Sequence, residues 1–455
     1  MSAHKLRSGF LIFGDIIVLY SGLVITLFLR YSLDEFEKWF NLHILPFSVL
    51  FAIWILIFLV AGLYDPISFS AKEQFHERLI RTMLVAGIVG IILFYLWTQS
   101  VITPKTNLVI DLIISVILLL AWRKFYITVI LQSAGAKIIF FGWSRETENI
   151  ARLLQNNQFL GYEPAAVILP SETILKSETG LPVFVLNHDL AKIINRTGAR
   201  LVVASGDVSS NADFIKMLYE VLPLGIAYLN FAQFYEYITG KIPVSMISEM
   251  WFLENLTENK KRAYEAAKRA FDLAVSAVLG VLALFLFPLI ILAIKINSPG
   301  RAFFRQSRVG KNGHLFELIK FRTMVKDAEK NGAVWAEKDD ERITKVGGFL
   351  RKTRLDELPQ LWNVIKGEMS LIGPRPERPE FVEELKKQIP HYMMRLLVRP
   401  GLSGWAQINF PYGASVEDAM EKLQYDLYYI KNRSMGLDLT IALKTLFIMV
   451  SRSGR

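Results

Sequence analysis

The chain has 455 residues, of which 52% are hydrophobic and 21% charged, and it contains no cysteine. The lack of cysteine excludes disulfide scaffolds, Cys-ligated zinc, iron–sulfur clusters and thiol nucleophiles, and the 31 Phe and 9 Trp exclude a disordered chain. The formal charge of +10 points to phosphorylated partners, nucleic acid or anionic lipid.

The positive charge is confined to the last part of the chain. Residues 1–135 carry 10 basic and 8 acidic side chains, a net charge of +2, and residues 136–255 carry 9 and 12, a net charge of −3. Residues 256–455 carry 33 and 22, a net charge of +11. We therefore predict three segments with these boundaries: a membrane bundle, an α/β module and a basic C-terminal domain.

Four apolar runs predict a transmembrane bundle in the first segment. Gly9–Leu29 and Ile44–Leu63 are long enough to cross a hydrocarbon core of ~30 Å, whereas Leu79–Trp97 and Leu108–Trp122 are weaker because charged residues lie in or beside them. Four spans put the N-terminus, the second loop and the chain after the fourth run on one side of the membrane, and this side has eight Lys or Arg against three on the other side. By the positive-inside rule, both ends of the bundle are predicted to be cytoplasmic.

Two acidic residues lie within these predicted spans, Asp15 and Asp111. We interpret them as helix-packing or near-interface carboxylates, because no transport-like set of polar residues accompanies them. An intramembrane functional group is the alternative. A cleaved signal peptide is not expected, since no small-residue cleavage site closes the first run.

The second segment alternates short apolar runs with helical patterns, which predicts a parallel α/β sheet. Its phosphate-binding turn is degenerate: Gly142 is followed by Trp and Ser where a dinucleotide site needs a close-approach glycine. Tyr237 and Lys241 have the spacing of a dehydrogenase base, but Gly240 would break the helix that they need. We therefore expect a structural or regulatory module. The apolar runs are Lys137–Gly142, Ala165–Leu169, Pro182–Leu186 and Leu201–Ala204.

A further apolar run, Ala270–Ile294, has Asp272 as its one charged residue and is long enough to cross a membrane. Both of its flanks are strongly basic, so neither is a natural exoplasmic end. Pro288 lies inside the run, where it removes a backbone donor and bends a helix. We predict a re-entrant membrane helix over about residues 268–296, broken at Pro288, rather than a spanning helix.

The third segment carries the densest motifs. Lys320-Phe-Arg322 follows an apolar, strand-like run, and basic residues precede the adjacent carboxylates Asp356 and Glu357. Pro359 is compatible with the first turn of the following helix. The positive end of that helix would favour ionised acids.

Two turn-rich loops follow, Gly373-Pro-Arg375-Pro376 and the stretch from Arg399 to Gln407. The first is a stiff loop that presents a guanidinium suited to phosphate. Two carboxylates, several fixed cations and no cysteine suggest phosphoryl chemistry. One carboxylate would attack phosphorus, and the other, with Mg²⁺ and arginines, would offset the charge of a diphosphate.

From about Lys268 to Arg455 the chain resembles the monotopic phosphoglycosyl transferases, a family of bacterial sugar transferases. The resemblance runs through KFRTM, LDELPQLWNVIKGEMSLIGPRP, RPGLSGWAQIN and YDLYYIKN. A membrane bundle followed by a degenerate nucleotide-fold module is similar to the large form of this family. That form includes the undecaprenyl-phosphate sugar-phosphate transferases that initiate exopolysaccharide or O-antigen synthesis.

The resemblance implies transfer of a sugar-1-phosphate from a UDP-sugar to polyprenyl phosphate, with Mg²⁺, giving polyprenyl-diphosphate-sugar and UMP. By motif position, Asp356 would form a phospho-aspartate and Glu357 would be its acidic partner and a Mg²⁺ ligand. Phe287 stands before Pro288 where members often have Ser, so the break in the helix depends on the proline alone. The predicted phosphate- or substrate-binding residues are Lys320, Arg322, Arg351, Arg354, Arg375, Arg399, Gln407 and Asp426.

The predicted fold is a membrane α plus α/β class. It combines a four-helix transmembrane bundle, a Rossmann-like module, and a re-entrant helix with a mostly α catalytic domain. We expect a multi-pass protein of the bacterial inner membrane with this domain on the cytoplasmic face, a homo-oligomer (a dimer), and no nucleic-acid partner. Met435–Val450 is compatible with an interfacial helix and equally with a core helix.

Two other functions are alternatives to the transferase. A membrane-anchored, NAD-dependent nucleotide-sugar dehydratase or epimerase would need the glycine-rich turn that the second segment lacks. A non-enzymatic scaffold of a polysaccharide assembly complex would not need the Asp356–Glu357 pair inside a full motif. The sequence does not specify which UDP-sugar is used, nor a ligand for the middle module.

Overall fold

The computed structural model forms two compact units, residues 1–231 and 232–455. The boundaries of the three segments predicted from the sequence remain predictions. The residues that the structure describes are 2–64, 72–96, 105–131, 135–157, 160–170, 179–185, 190–205, 212–256, 261–325, 342–410, 413 and 415–451.

The first unit begins with four long helices, and each packs against two of the others: α1 and α3 both contact α2 and α4. The core between them is aromatic and aliphatic, with Trp54, Phe47 and Phe58 completely buried. A short π-helix, Tyr126–Leu131, continues the last of them. The four helices are α1 (Ser2–Arg30), α2 (Phe36–Val60), α3 (Lys72–Leu96) and α4 (Lys105–Phe125).

Four helical segments in the described part of the chain are long and apolar enough to cross a membrane. Three lie in α1, α2 and α3, and the fourth lies in the second unit rather than in α4. The chain is therefore a membrane protein by its helices. Trp97, the last residue of the third predicted run, lies outside the described residues. The segments are Gly9–Arg30, Leu33–Val60, His76–Tyr95 and Arg262–Asn297.

The rest of the first unit contains the predicted parallel sheet, in the order β3-β2-β1-β4-β5 with every pair parallel. The central strands β1 and β4 are almost continuously apolar, as expected of strands covered on both faces. The fifth strand was not predicted, and Leu186 of the predicted third run lies outside the described residues. The strands are β1 (Ala136–Phe141), β2 (Tyr162–Leu169), β3 (Val183–Val185), β4 (Leu201–Ala204) and β5 (Ala227–Asn230).

Helices connect these strands: α5 (Arg145–Asn156), α6 (Leu190–Thr197) and α7 (Ala212–Val221). The turn between β1 and α5 has one glycine in the left-handed region, Gly142 at φ 81°. Ser144 then caps α5 by accepting a hydrogen bond from the Thr147 amide. The turn therefore ends in an ordinary side-chain cap.

The second unit begins at Ala232, the second residue of α8 (Phe231–Thr239), and α9 (Glu249–Asn255) follows. Gly240, at φ 66°, ends α8, so the structure has Tyr237 inside the helix and Lys241 beyond it. Lys241 instead forms an ion pair with Glu421. Residues from this segment, among them Ile242 and Phe252, are part of the core of the second unit.

The long helix α10 (Arg262–Asn297) runs through Pro288 as one helical segment. A stripe of its side chains, at spacings of four and seven residues, is buried on both sides of the proline. The faces of α10 outside this stripe are apolar and exposed, and Phe285 is 76% exposed. Beyond Pro288 the stripe packs against Phe321 and Leu350. The buried positions are Lys268, Asp272, Ser276, Ala283, Ile290 and Ile294.

The remaining elements surround the functional site. An antiparallel hairpin pairs β6 with β7, and two three-residue strands, β8 and β9, pair in parallel. The last helix has Ile441 buried on one face and Leu439 and Leu446 exposed on the other. The elements are β6 (Phe303–Val309), β7 (Leu315–Phe321), α11 (Lys345–Thr353), α12 (Leu361–Lys366), β8 (Ser370–Ile372), α13 (Pro379–Gln388), β9 (Gly401–Ser403), α14 (Trp405–Asn409), α15 (Val416–Asn432) and α16 (Met435–Ser451).

Candidate active site

The second unit contains a polar cavity of about 290 Å³ lined by five basic and two acidic residues. The formal charge of its lining is therefore +3, which suits a ligand with several negative charges. Six residues predicted from the sequence meet here. The lining residues are Arg308, Leu318, Lys320, Arg351, Arg354, Asp356, Glu357, Gln360, Arg375, Pro376 and Gly401.

One wall of the cavity is a face of the β6–β7 hairpin. The register pairs Phe304 with Lys320 and Arg308 with Phe316. Because side chains alternate between faces along a strand, Arg308, Leu318 and Lys320 point to the same side. Arg308 donates to the Pro376 carbonyl at 3.1 Å. Arg308 was not predicted as a site residue. Its place on the same face of the hairpin as Lys320 depends on the pairing of β6 with β7, which the sequence does not give.

The two carboxylates lie on a six-residue 3-10 helix, Leu355–Gln360, between α11 and α12. Arg354 adopts a left-handed conformation, φ 58°, which ends α11 and turns the chain into this helix. Pro359 lies in the 3-10 helix, two residues before α12, and not in the first turn of α12 as predicted.

Asp356 is 7% exposed, and its Oδ1 atom has no hydrogen-bond partner among the described residues. Burial, and next the negative charge of Glu357, raise the pKa of Asp356 to about 6. A buried acceptor without a partner is costly unless something else satisfies it. Asp356 is therefore a comparatively basic carboxylate that faces a cationic cavity, as a nucleophile towards phosphorus would need to be.

Glu357 differs from its neighbour because it is held by two arginines. Its Oε1 atom accepts a hydrogen bond from Arg375 Nη2 at 2.9 Å and lies 3.5 Å from Arg354 Nη1. Burial alone would raise the pKa of Glu357, but Arg375 and then Arg354 outweigh it and lower the pKa. The adjacent carboxyls thus have pKa values shifted in opposite directions, an arrangement that assigns them different tasks.

Lys320 and Arg351 supply positive charge on the hairpin side. Burial, followed by repulsion from Arg308 and Arg351, lowers the pKa of Lys320 to about 8. Its ammonium lies 5.1 Å from the ring centre of Phe304. Arg351 donates from Nε to Thr323 Oγ1 at 2.9 Å, which fixes the direction of its guanidinium. A phosphate bound here would relieve the mutual repulsion of these cations.

The backbone of the Gly-Pro-Arg-Pro loop, residues 373–376, is hydrogen-bonded to the backbone of β9. Gly373 donates to the Ser403 carbonyl at 2.8 Å, and Gly401 donates to the Pro374 carbonyl at 2.9 Å. A Cβ atom on Gly401 would lie 2.1 Å from the Gly373 nitrogen, and one on Gly404 would lie 2.2 Å from the Gly373 oxygen. The glycines allow the two loops to touch, and this contact places Arg375 over Glu357.

Asp426 does not line the cavity. It is 1% exposed and pairs with Arg395 at 2.8 Å. Arg395 in turn donates to the Arg375 carbonyl at 3.0 Å and to the Tyr392 hydroxyl at 2.8 Å. Asp426 therefore positions Arg395, and Arg395 in turn fixes the backbone of Arg375. Arg395 was not found from the sequence, since a lone arginine has no signal there that distinguishes it from a surface residue.

Three other predicted substrate-binding residues also lie outside the cavity lining. Arg322 donates to the carbonyls of Pro299 and Ser298 at 2.9 and 2.6 Å, closing the turn after α10. Arg399 donates to the Gly367 carbonyl at 3.0 Å, and Gln407 donates to the Leu402 carbonyl at 3.2 Å. In this structure these side chains support the backbone around the site.

The Asp356–Glu357 pair is compatible with Mg²⁺. This ion is usually bound by one or two carboxylates together with substrate phosphates, and Asp356 Oδ1 is buried without a hydrogen-bond partner in the described part of the chain. The described residues contain no group of three or more His, Asp or Glu side chains that could hold a metal. A metal here would therefore need oxygen ligands from the substrate.

The comparisons agree with this geometry. The family model of the bacterial sugar transferases matches residues 263–452. The chain is 42% identical over 226 residues to a UDP-N-acetylgalactosamine-undecaprenyl-phosphate N-acetylgalactosaminephosphotransferase of Aeromonas hydrophila, covering 49% of this chain and 52% of that protein. It is 48% identical over 145 residues to a putative undecaprenyl-phosphate N-acetylgalactosaminyl 1-phosphate transferase of Bacillus subtilis. This match covers 32% of this chain and 81% of that protein.

A third relative extends the similarity beyond the catalytic unit. The chain is 29% identical over 335 residues to a UDP-galactose-lipid carrier transferase of Erwinia amylovora, covering 70% of this chain and 68% of that protein. The match to the Aeromonas relative, in contrast, spans about half of that protein's length. Together the motifs, the cavity and these matches show that the chain belongs to the bacterial sugar transferase family.

Proposed function

We propose that this protein transfers a sugar-1-phosphate from a UDP-sugar to polyprenyl phosphate, with undecaprenyl phosphate as the lipid. The products would be polyprenyl-diphosphate-sugar and UMP, and the reaction would be the first membrane step of exopolysaccharide, O-antigen or capsule synthesis. The observation that carries the proposal is the unpartnered Asp356 oxygen in a cationic cavity. The relatives are named as undecaprenyl-phosphate transferases, which supports the proposal.

In the first step, an Asp356 oxygen attacks the phosphorus next to the sugar. A bond from that oxygen to phosphorus forms, the bond from phosphorus to the UMP oxygen breaks, and UMP leaves with the electron pair. In the second step, a phosphate oxygen of the lipid attacks the same phosphorus. Asp356 is released as a carboxylate, so neither step needs an external oxidant or reductant.

The cations around Asp356 do the electrostatic part of the work. Lys320, Arg351 and Arg375 would hold the diphosphate and offset the charge that develops on the leaving UMP. Glu357 keeps Arg375 directed into the cavity through their 2.9 Å contact. Asp356 and Glu357, with phosphate oxygens, would hold Mg²⁺, which when bound neutralises diphosphate charge. Removal of the ion with EDTA should stop UMP release, and added Mg²⁺ should restore it.

The direct test is UMP release by Asp356→Asn, measured in nanodiscs with a panel of UDP-sugars, which also identifies the sugar. We expect no turnover from this variant with any sugar, while membrane insertion is unchanged. Glu380→Gln is the matched control, because the Glu380 side chain is 63% exposed and does not line the cavity. Normal turnover by Asp356→Asn would show that the nucleophile is assigned wrongly.

We further propose that α1–α4 form a bundle that crosses the inner membrane, and that α10 enters the cytoplasmic leaflet, bends at Pro288 and returns. The support for a re-entrant α10 is its buried stripe, which packs within the second unit both before and after Pro288. Its apolar faces in between are exposed. Such an arrangement brings the cavity to the level of lipid phosphates on the cytoplasmic face.

Topology can be tested with one introduced thiol, since the chain has no cysteine. His314 is exposed in the turn between β6 and β7. In intact cells, His314→Cys should be protected from membrane-impermeant thiol reagents. Labelling from outside would show that α10 spans the membrane. The proposed homodimer is tested separately, by the mass of the protein in nanodiscs.

A further inference from the structure

The contact between α1 and α4 contains a group of buried oxygens that the proposed transferase reaction does not use. Thr26 on α1 and Asp111 and Ser115 on α4 are all 0% exposed. Within the described part of the chain, four of their oxygens have no hydrogen-bond partner: Thr26 Oγ1, Ser115 Oγ and both carboxylate oxygens of Asp111. Unpartnered buried oxygens at this density call for a ligand.

The register of the two helices brings these oxygens to one place. Arg30 pairs with Asn107, a side chain at Gly22 would meet Ser115 and Asp111, and one at Gly14 would meet Trp122. The helices therefore run antiparallel. In an antiparallel pair, moving four residues forward on α1 corresponds to moving four residues back on α4. Because Gly22 lies opposite Ser115, Thr26 lies opposite Asp111.

The two hydroxyls are directed away from their own helices. Buried helical Ser and Thr commonly donate to the carbonyl four residues earlier, and Ser48 and Thr82 in the neighbouring helices do so at 2.6 and 2.7 Å. Thr26 and Ser115 make no such bond. Their oxygens are thus available to a common ligand between α1 and α4.

The carboxylate also has no countercharge. Asp15, in the same helix contact, is paired with Arg123, and Arg30 is bound to Asn107. Among the described residues, no Lys, Arg or His forms an ion pair or hydrogen bond with Asp111. An isolated carboxylate inside an apolar bundle is too costly to persist, so either a bound cation or a proton must neutralise it.

We propose that Asp111, Ser115 and Thr26 form a binding site for one monovalent metal cation. Carboxylate and hydroxyl oxygens are the ligands of hard cations, and a single positive charge neutralises the site. A divalent ion would leave a net charge in the bundle. Gly22 provides the space: a Cβ there would lie 2.7 Å from Ser115 Oγ and 3.2 Å from Asp111 Oδ1. The cation would hold α1 to α4 and stabilise the bundle.

The test uses the full-length protein in nanodiscs, with NaCl exchanged for choline chloride at constant ionic strength. We expect saturable binding of one ²²Na⁺ per chain. We also expect the unfolding midpoint of the first unit to rise by about 3–6 °C at a Na⁺ concentration ten times the dissociation constant. Asp111→Asn should abolish both effects.

A second variant keeps the carboxylate and removes the space. Gly22→Ala should abolish Na⁺ binding, and it separates loss of the site from loss of folding in Asp111→Asn. Thr82→Val is the matched control, because this buried hydroxyl is satisfied within its own helix; its Na⁺ response should equal that of the wild type. The transferase activity does not enter these readouts.

Two results would overturn the proposal. The first is a midpoint and ²²Na⁺ signal that are independent of Na⁺ in the wild type, or equally dependent in Asp111→Asn. The second is an infrared band of a protonated carboxylic acid at neutral pH in Na⁺ that Asp111→Asn removes. That band would show that a proton, and not a metal cation, neutralises Asp111.

Discussion

Replacing Asp356 by Asn should abolish UMP release and, at the same time, make the second unit more stable above pH 6. The Asp356 side chain is almost fully buried, and its Oδ1 atom has no hydrogen-bond partner in the described residues. Burial and the charge of Glu357 raise its pKa from 3.8 to about 6. The folded protein therefore holds this carboxylate ionised at a cost, which an uncharged side chain avoids.

The sign follows from proton linkage. A carboxyl with a higher pKa in the folded state binds protons more tightly there, so its contribution favours folding at low pH and is lost as the pH rises towards about 6. A shift of about two pKa units corresponds to about 3 kcal/mol of unfolding free energy. Asp356→Asn should therefore gain up to about 3 kcal/mol at pH 7.5 and almost nothing at pH 4.

The assay is thermal unfolding of the full-length protein in nanodiscs at pH 4 and 7.5, where this gain corresponds to a rise of several degrees. Glu357→Gln is the matched control with the opposite sign. Arginines lower the pKa of Glu357, so its charge stabilises the folded state at neutral pH and this stability is lost as the pH falls. Glu357→Gln should lower the midpoint at pH 7.5.

The same or a lower unfolding midpoint for Asp356→Asn at pH 7.5 would contradict this prediction. An equal gain in midpoint at pH 4 and pH 7.5 would also contradict it. In the first case burial does not penalise the charge, and in the second the effect comes from packing and not from ionisation. A stable but inactive Asp356→Asn variant would show that the protein maintains its nucleophile at the expense of stability.

Three further outcomes are expected. The rate of UMP release should fall as the pH drops through about 6, because only ionised Asp356 attacks phosphorus; initial rates that are flat from pH 5 to 7 would contradict this. Asp426→Asn should cost about 3–5 kcal/mol of unfolding free energy, measured with urea, because it leaves Arg395 buried without its partner; an unchanged midpoint would exclude this role. Gly373→Ala should slow turnover at least tenfold, because its methyl group would lie 2.4 Å from a backbone oxygen, whereas Gly436→Ala, with no atom within 4 Å, should leave turnover unchanged.

Much of the fold follows from local patterns in the sequence. The apolar runs predicted the helices α1–α4 and four of the five strands of the parallel sheet, because periodicity and length are local properties. β5 was missed, since Ala227–Asn230 is short and half exposed at the sheet edge. The 3-10 helix that contains Asp356 was also missed, because its tight turn depends on the left-handed conformation of Arg354.

The candidate site was predictable where charge and motif are contiguous. Asp356, Glu357 and the basic residues before them lie within one short stretch, so their joint place in the cavity follows from chain connectivity. Arg322 and Arg399 are equally basic in sequence, yet the structure gives them backbone carbonyls as partners. Only tertiary contacts bring those carbonyls close, which is why the sequence could not distinguish structural from cavity-lining arginines.

The mutual contact of Gly373, Gly401 and Gly404 has a consequence for inhibitor resistance. Gly373 fills the space that a side chain on Gly401 or Gly404 would need, and a side chain on Gly373 would meet the Gly401 nitrogen, so neither loop can accept a larger residue unless the other moves. A small molecule that binds the main chain where these loops meet would contact atoms that no side-chain exchange removes. Resistance at this spot would require two loops to change together, which is a rarer event than a single substitution.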